Sequence, residues 1–305
     1  AAHPGRQHRQ VSRPLVLVLE ILFLAVFWTW GFSAALFLRN TVLPRMPITQ
    51  TPELLHLRSE TVEFQATDGI RLEGWKIPGE PSRPWVLLCH GVGANRADLL
   101  DIAGGLHEAG FSLLLFDFRA HGGSRGLATS FGWRERRDLE GALSFLGRQP
   151  DVPAAPHGVY GISMGAAVAL MVAAGDERIG AVAADSPYPD LEESIGRHMS
   201  LLYPWLPREP FRWFVLATYR LRFGVWPRQV SPEAGAARLT PRPLLLIHGA
   251  LDPRMPVEGA RRIAGRGGTS TELWVIDHAG HLEGFALDPS AYRTRLISFF
   301  QAALL

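Results

Sequence analysis

The pentapeptide Gly161-Ile162-Ser163-Met164-Gly165 places a serine between two glycines. A short apolar run typical of a strand precedes it, and the helix-forming run AAVALMVAA follows it. A strand that turns sharply into a helix crowds the backbone, so small residues are needed on both sides and the serine hydroxyl is lifted clear of the sheet. This context predicts that Ser163 is a nucleophile, with the dipole of the following helix pointing at any oxyanion that forms.

A serine hydroxyl is a poor nucleophile at neutral pH and needs a base that is itself oriented by a carboxylate. Asp252 and His281 each follow a later apolar run of the kind that forms a strand. Because parallel sheets covered by helices place their sites at the carboxyl ends of the strands, we expect both side chains to converge on Ser163. Two alternatives stay open, since Asp185 also ends a strand-like run and could supply the acid, and His278 could supply the base.

An oxyanion needs two hydrogen-bond donors, and backbone amides supply them without loss of side-chain entropy. One donor is the residue after the nucleophile, Met164, and the other belongs to the loop after the strand that ends at Cys89. In that loop the sequence His90-Gly-Val92-Gly lets the backbone approach closely, so Val92 is the expected second donor. We expect His90 itself to be structural.

Six motifs occur in an order that resembles the α/β-hydrolase superfamily, and in particular its single-pass, membrane-anchored, esterase-like hydrolases: LLCHGVGANR, FDFRAHGGSRG, GISMGA, ADSPYPDL, HGALDPRMP and GHLE. The resemblance covers residues 60 to 305 and keeps the family's order of nucleophile, acid and histidine. It implies a nucleophile, an acid, a base and two oxyanion amides at Ser163, Asp252, His281, Val92 and Met164 respectively.

The resemblance also implies that part of the DFRAHGGS motif braces the loop beside the site. The residues concerned are Asp117, Arg119, His121 and Ser124. The family pattern often has glycine where this chain has Ala120, a departure that leaves the implied triad untouched.

The elements that position these residues are predicted from short β-rich runs that alternate with one-sided helical runs. Asp68-Gly69 separates two strand-like runs and indicates a hairpin. Four later runs are apolar throughout, as strands buried on both faces of a parallel sheet are: Val86 to Cys89, Leu113 to Phe116, Ala181 to Ala184 and Leu244 to Ile247. Two further runs resemble them, Gly158 to Ile162 and Leu273 to Ile276. The alternation predicts an α/β fold with a mostly parallel, doubly wound sheet.

Residues 14–38 carry a single charge, Glu20, in an otherwise apolar run. As a helix the run is about 38 Å long, enough to cross a hydrocarbon core of about 30 Å. We predict a single-pass membrane anchor at 14–38, a basic tail at 1–13, an extended linker at 39–59 and a catalytic domain at 60–305. A buried core helix would seldom be apolar on every side for seven turns, and a cleaved signal peptide has a shorter apolar region; both remain alternatives.

The charges that flank this segment only weakly indicate an orientation. Three arginines precede it and two follow it, namely Arg6, Arg9 and Arg13 against Arg39 and Arg45. The positive-inside rule favours a cytoplasmic N-terminus by this small margin. The side of the membrane that carries the catalytic domain therefore stays open.

An insertion at 190–232 precedes the next strand-like run and is rich in aromatic residues and arginines. The run from Phe211 to Trp226 is cationic and apolar together, which suits an anionic lipid surface or the roof of a pocket for an acyl chain. The alternative is a cap that packs onto the sheet with its arginines in solvent.

The composition excludes several classes of protein. With 47% hydrophobic and 20% charged residues the chain is neither disordered nor fibrous, and its single cysteine, Cys89, excludes a disulfide framework and a cysteine zinc site. A net charge of +2 is too small to indicate nucleic-acid binding. Neither HExxH nor GxxxxGK occurs, and Gly91-x-Gly93 lacks the third glycine of a dinucleotide site, so no metal and no cofactor are expected.

These observations predict a membrane-tethered serine hydrolase that cleaves carboxylic esters of apolar acyl groups through an acyl-enzyme. Monoacylglycerols or similar lipid esters are the expected substrates and the membrane is the expected partner, while the oligomeric state stays open. Acyl thioesters and lysophospholipids are the alternative substrates. The remaining hypotheses are peptide hydrolysis and a non-catalytic binding module. The serine at position 163 argues against chemistry that uses a carboxylate nucleophile, such as dehalogenation.

Overall fold

The central element of the computed structural model, which describes residues 13–81 and 83–305, is a sheet of eight strands. The predicted basic tail lies outside these residues except for Arg13. The strands are β1 (Glu60–Gln65), β2 (Arg71–Ile77), β3 (Trp85–Cys89), β4 (Ser112–Phe116), β5 (His157–Ile162), β6 (Ile179–Asp185), β7 (Leu244–Gly249) and β8 (Thr271–Ile276). Their order is β1-β2-β4-β3-β5-β6-β7-β8. Strand β2 is antiparallel to both of its neighbours, β1 and β4, and every other pair of neighbouring strands is parallel. The predicted hairpin and mostly parallel sheet are confirmed.

Helices cover both faces of this sheet. The helices of the described residues are α1 (Arg13–Thr41), α2 (Leu100–Glu108), α3 (Arg136–Leu146), α4 (Met164–Ala173), α5 (Leu191–Leu202), α6 (Phe211–Phe223), α7 (Pro232–Ala236), α8 (Val257–Gly267), α9 (Gly284–Leu287) and α10 (Pro289–Leu304). Helices α3, α4 and α8 contribute to the apolar cluster on one face, and α2 and α10 to the cluster on the other. Strand β3 shows the expected alternation, since Leu87 belongs to the first cluster and Val86 and Leu88 belong to the second.

The order of the strands determines where the loops meet. Strand β3 lies between β4 and β5, so the chain moves to one side of β3 through α2 and to the other side at β5. Ligands of open α/β sheets bind outside the carboxyl ends of the strands at such a switch point. Cys89, the last residue of β3, is in register with Gly161 of β5. The loops that contain Val92 and Ser163 therefore begin side by side.

The insertion at 190–232 contains α5, α6 and a short 3₁₀ turn at Pro227–Gln229. Tyr219 and Phe223 of α6 are buried in a third apolar cluster, whereas Trp205 and Trp213 are exposed. The insertion is thus a cap with an apolar underside and an outer surface that presents aromatic rings.

Helix α1 is the single helix within the described residues that is long and apolar enough to cross a membrane, a property shared by membrane anchors and signal sequences. Every side chain from Arg13 to Trp28 is exposed. Further along, Ser33, Phe37 and Thr41 are buried. The helix therefore has a free N-terminal part and a C-terminal part that packs against the rest of the protein.

Candidate active site

Ser163 occupies the tight turn between β5 and α4. Its φ of +51° and ψ of −114° lie outside the regions that serine ordinarily adopts, so the turn stores backbone strain of the kind found at functional sites. Positions 161 and 165, on either side of this turn, have no room for a side chain, so both must be glycine. A Cβ at Gly161 would lie 2.5 Å from the Gly165 carbonyl carbon, and one at Gly165 would lie 2.6 Å from the Cys89 carbonyl carbon.

Replacing Gly165 with alanine is expected to destabilise the protein strongly, because the new methyl group meets backbone that cannot move aside. The expected loss in the free energy of unfolding is about 3 kcal/mol or more, the upper end for overpacking. Gly175→Ala is the matched control, since nothing lies within 4 Å of a Cβ there and its φ is ordinary; that variant is expected to stay within about 1 kcal/mol of the wild type. Thermal unfolding of the two variants measures the difference, and equal stability would contradict the crowded turn.

Ser163, His281 and Asp252 form one chain of hydrogen bonds. The Ser163 Oγ lies 3.2 Å from Nε2 of His281, and Nδ1 of His281 lies 2.6 Å from Oδ2 of Asp252. With the proton on Nδ1, the imidazole donates to the carboxylate and leaves Nε2 free to accept the serine proton. The three residues follow β5, β7 and β8, so separate loops bring them together at one edge of the sheet.

The carboxylate of Asp252 is held in place from both sides. Its Oδ1 accepts hydrogen bonds from the backbone amides of Arg254 at 2.8 Å and Met255 at 2.9 Å. Burial alone would raise the pKa of Asp252, but the hydrogen bond and charge of His281, together with the two amides, outweigh it and hold the pKa below its ordinary value. Asp252 is therefore ionised at neutral pH and oriented toward the imidazole.

The structure places the two alternative residues elsewhere. Asp185 is buried, and its carboxylate accepts hydrogen bonds from the hydroxyls of Tyr292 at 2.7 Å and Ser186 at 2.8 Å. Burial raises the pKa of Asp185, while those two hydrogen bonds oppose the rise. His278 is exposed in the loop after β8 and has a φ of +63°. The residues that contact each other are thus Asp252, His281 and Ser163.

The loop after β3 approaches Ser163 closely. A Cβ at Gly91 would lie 3.4 Å from the Ser163 Cβ, so even a methyl group there would be in contact with Ser163. Val92 follows at the edge of the cavity, and the amide of Met164 is at the N-terminus of α4, where helical amides have no partner within the helix. His90 accepts the amide of Phe118 on Nε2 at 3.0 Å. Burial lowers the pKa of His90 to about 3, so it is neutral, in keeping with a structural role.

The DFRAHGGS segment supports this loop through buried polar contacts. The amide of Gly93 donates to Nε2 of His121 at 3.1 Å, and Asp117 accepts the amide and the guanidinium of Arg96. Ala120 has a φ of +63°, in the left-handed region that glycine adopts most easily, which explains why glycine suits this position. Further contacts of the segment include the pairing of Arg119 with Asp68 and Asp138 and the bond from the Ser124 hydroxyl to the Asp117 carbonyl.

A cavity of about 430 Å³ opens beside the three residues, within the range of small-molecule sites. Both Ser163 and His281 line it. Most of its other walls are apolar, with side chains from α5, α6 and the C-terminal part of α1: Leu36, Phe37, Leu191, Ile195, Met199, Leu202, Phe211 and Val215. The hydrogen-bond chain is therefore reached through an apolar chamber.

Two sets of cavity residues were not anticipated from the sequence. His198 of α5 lines the cavity, and its Nδ1 lies 2.9 Å from the Ser194 carbonyl; burial lowers the pKa of His198, so the ring is neutral. The residues of α1 are the other set. A signal for them exists, because Ser33 and Asn40 are polar, seven residues apart and so on one face of an otherwise apolar helix.

The side chains of residues 13–81 and 83–305 contain no group of three or more His, Cys, Asp or Glu residues placed to hold a metal ion. Comparison with known proteins agrees with the fold. A family model described as alpha/beta hydrolase fold matches residues 84–224. An uncharacterized protein of Mycobacterium tuberculosis is 32% identical over 233 residues, 76% of this chain and 74% of that protein.

Two further similarities concern proteins with a named activity. The solved structure of the Pyrococcus furiosus esterase Pf2001 matches with a TM-score of 0.74 and 27% identity, over 87% of this chain and 98% of that one. The polyketide transferase ATR5 of Stachybotrys chlorohalonatus is 35% identical over 134 residues, 43% of this chain and 45% of that protein. The first of these similarities spans almost the whole of the described domain.

Proposed function

The chain belongs to the α/β-hydrolase family and is esterase-like, and on that premise we propose that it is a serine hydrolase acting on carboxylic esters of apolar acyl groups. One observation carries the proposal: the hydrogen-bond chain from Asp252 through His281 to Ser163 ends in an apolar cavity. Ser163 is the nucleophile, His281 the base and Asp252 the acid that orients it. The likeness to the Pyrococcus furiosus esterase supports the same reaction class.

The proposed reaction has two steps. Nε2 of His281 takes the proton of Ser163 as its Oγ attacks the ester carbonyl, and the amides of Val92 and Met164 stabilise the negative oxygen that forms. When the tetrahedral intermediate collapses, the imidazolium gives the proton to the leaving alcohol and an acyl-serine remains. A water molecule then attacks the acyl-serine as His281 takes its proton, and when this second intermediate collapses the imidazolium returns the proton to the Ser163 Oγ, which releases the carboxylic acid and restores the free enzyme.

The cavity supports an apolar acyl group as the substrate's recognition element. Each methylene that leaves water contributes about 0.8 kcal/mol, or roughly fourfold in kcat/KM. A series of esters from acetate to hexadecanoate is therefore expected to show kcat/KM rising with chain length and then breaking where the cavity ends. A profile without a rise would overturn the acyl pocket, though not the assignment of Ser163.

Two other acyl compounds use the same acyl-enzyme. Acyl thioesters are the first class. Comparing kcat/KM for oxygen esters and for thioesters of equal chain length distinguishes an esterase from a thioesterase. Lysophospholipids are favoured by one observation, because Arg254 is exposed, lines the cavity and makes no ion pair with any residue of 13–81 or 83–305. Faster hydrolysis of a lysophospholipid than of a monoacylglycerol with the same chain would establish that class of substrate.

We also propose that α1 is a membrane anchor and is retained in the mature protein. A cleaved signal peptide would be lost from the protein, yet the C-terminal part of α1 packs against the cap. Phe37 is 6% exposed, and its ring contacts those of Tyr219, Phe223 and Phe131. Removing the helix would expose these rings to water.

A further inference from the structure

The last turns of α1 form part of the wall of the cavity that contains Ser163. Ser33, Leu36, Phe37 and Asn40 all line it. These residues recur on one face of the helix, and the buried members of that face are Ser33 and Phe37. The same helix that is apolar enough to cross a membrane thus contacts the space beside the nucleophile.

Specific contacts hold the helix in this position. Nε1 of Trp30 donates to the Thr218 hydroxyl of α6 at 3.1 Å, and Nδ2 of Asn40 donates to the Tyr203 hydroxyl at 3.2 Å. The Phe37 ring meets that of Tyr219 edge to face at 5.9 Å. These hydrogen bonds and the aromatic contact indicate that this part of the helix packs against protein, since lipid tails offer no hydrogen-bond partners.

The chain after α1 fastens the helix to the loops beside the site. The carbonyl of Thr41 accepts the amide of Thr129 at 2.9 Å. The guanidinium of Arg45 donates to four backbone carbonyls of the segment that contains DFRAHGGS, those of His121, Gly122, Ser124 and Gly126. Leu43 reaches within 4.0 Å of a Cβ built at Gly93, in the oxyanion loop. The C-terminal end of the helix is therefore fixed relative to Ser163.

The length of the helix leaves room for both roles. The nineteen residues from Pro14 to Phe32 rise about 28 Å, close to the hydrocarbon thickness of about 30 Å. All of them are exposed except Thr29, which is half-buried. Ser33, the first residue of the cavity wall, follows directly, so the cavity begins where the membrane-spanning part of the helix ends.

We propose that the C-terminal turns of α1 are an acyl-binding wall, so that the membrane anchor is a component of the active site and Leu36 is a specificity-determining residue. The inference rests on the proposed esterase function and deepens it. The acyl chain of the substrate lies against Leu36 and Phe37, between α1 and the cap helices α5 and α6. The proposal does not depend on the identity of the alcohol.

Leu36→Trp in the full chain, reconstituted in phosphatidylcholine vesicles, tests the proposal. Leu36 is half-buried and lines the cavity, whereas Leu38 is 40% exposed and does not line it, so Leu38→Trp is the matched control. The indole displaces two or three methylenes of the substrate, so kcat/KM for a dodecanoate ester is expected to fall about tenfold or more, at about fourfold per methylene. For the acetate ester it is expected to stay within twofold, and Leu38→Trp is expected to leave both values unchanged.

The failure of this inference is distinguishable from that of the proposed function. If the wild type hydrolyses esters and Leu36→Trp keeps the wild-type chain-length profile, α1 is not an acyl wall. A parallel fall for acetate and dodecanoate would also overturn the proposal. A wild type that hydrolyses no ester and does not react with a fluorophosphonate would overturn the proposed function itself, and the inference with it.

A measurement on the wild type tests the same proposal without requiring that a variant fold. A dodecyl fluorophosphonate with a diazirine near the end of its chain attaches to the nucleophile and is then photolysed. Cross-links to the peptide that contains residues 33–43 are expected, because the chain of the bound probe lies against α1. Cross-links confined to peptides outside α1 would overturn the acyl wall.

Discussion

Replacing Ser163 with alanine is expected to lower ester turnover by about 10⁴-fold or more and to abolish labelling by a fluorophosphonate. The reason is that the hydroxyl is the only group at the strained turn that can form the acyl bond, and a site without its nucleophile keeps only the contribution of binding and of the oxyanion amides. Turnover of a short-chain nitrophenyl ester measures the loss. The alanine variant is expected to fold, because a hydroxyl is removed and nothing is added at the turn.

Ser200→Ala is the matched control, since Ser200 is an exposed serine of α5 that does not line the cavity. Its turnover and labelling are expected to equal those of the wild type. Activity of Ser163→Ala within tenfold of the wild type would remove Ser163 from the mechanism. A wild type that is neither labelled nor active would favour a binding module that has kept the scaffold.

Replacing Asp252 with asparagine is expected to lower turnover by about 10⁴-fold with little change in structure. The asparagine Oδ1 can still accept the amides of Arg254 and Met255, so the loop after β7 keeps its shape. The group facing Nδ1 of His281 becomes an NH₂ donor, and the imidazole must then carry its proton on Nε2. In that tautomer His281 cannot accept the proton of Ser163.

Asp185→Asn separates the acid of the site from the other buried carboxylate. Because the Asp185 carboxylate bonds to Tyr292 and Ser186, its loss is expected to leave turnover within tenfold. The free energy of unfolding is expected to fall by about 1–3 kcal/mol, the usual effect of mismatching a buried hydrogen bond. If Asp185→Asn lost as much turnover as Asp252→Asn, the acid would have been assigned wrongly.

Much of the fold could be predicted because local patterns and tertiary packing agree. The apolar runs that became β3 to β7 are short, bounded by turn residues and almost wholly buried, as strands covered on both faces of a parallel sheet are, whereas the run in β8 is only half-buried because β8 is an edge strand. Asp68-Gly69 indicated the β1–β2 hairpin, which the register of the two strands confirms. The two glycines around Ser163 marked its turn because any Cβ there would meet backbone.

Other features have only a weak local signal or none. An apolar helix has the same composition whether lipid or protein covers it, so the docking of α1 on α6 could not be predicted from hydropathy. The partners of Arg45 are backbone carbonyls, which every residue has, and their number depends only on the path of the loop. Asp185 resembled a catalytic acid because it ends a strand, and only the position of Tyr292 on a distant helix shows what its carboxylate contacts.

The guanidinium of Arg45 donates to four backbone carbonyls of the segment that contains DFRAHGGS, so the chain just after α1 is fixed beside the cavity. If α1 is the membrane anchor proposed above, the chain that leaves the bilayer runs directly into the wall of the cavity beside Ser163. On that proposal the cavity would keep one orientation toward the lipid, and its substrate would arrive by diffusion within the leaflet. Proteolytic release of the domain would therefore change which esters it accepts as well as where it is found.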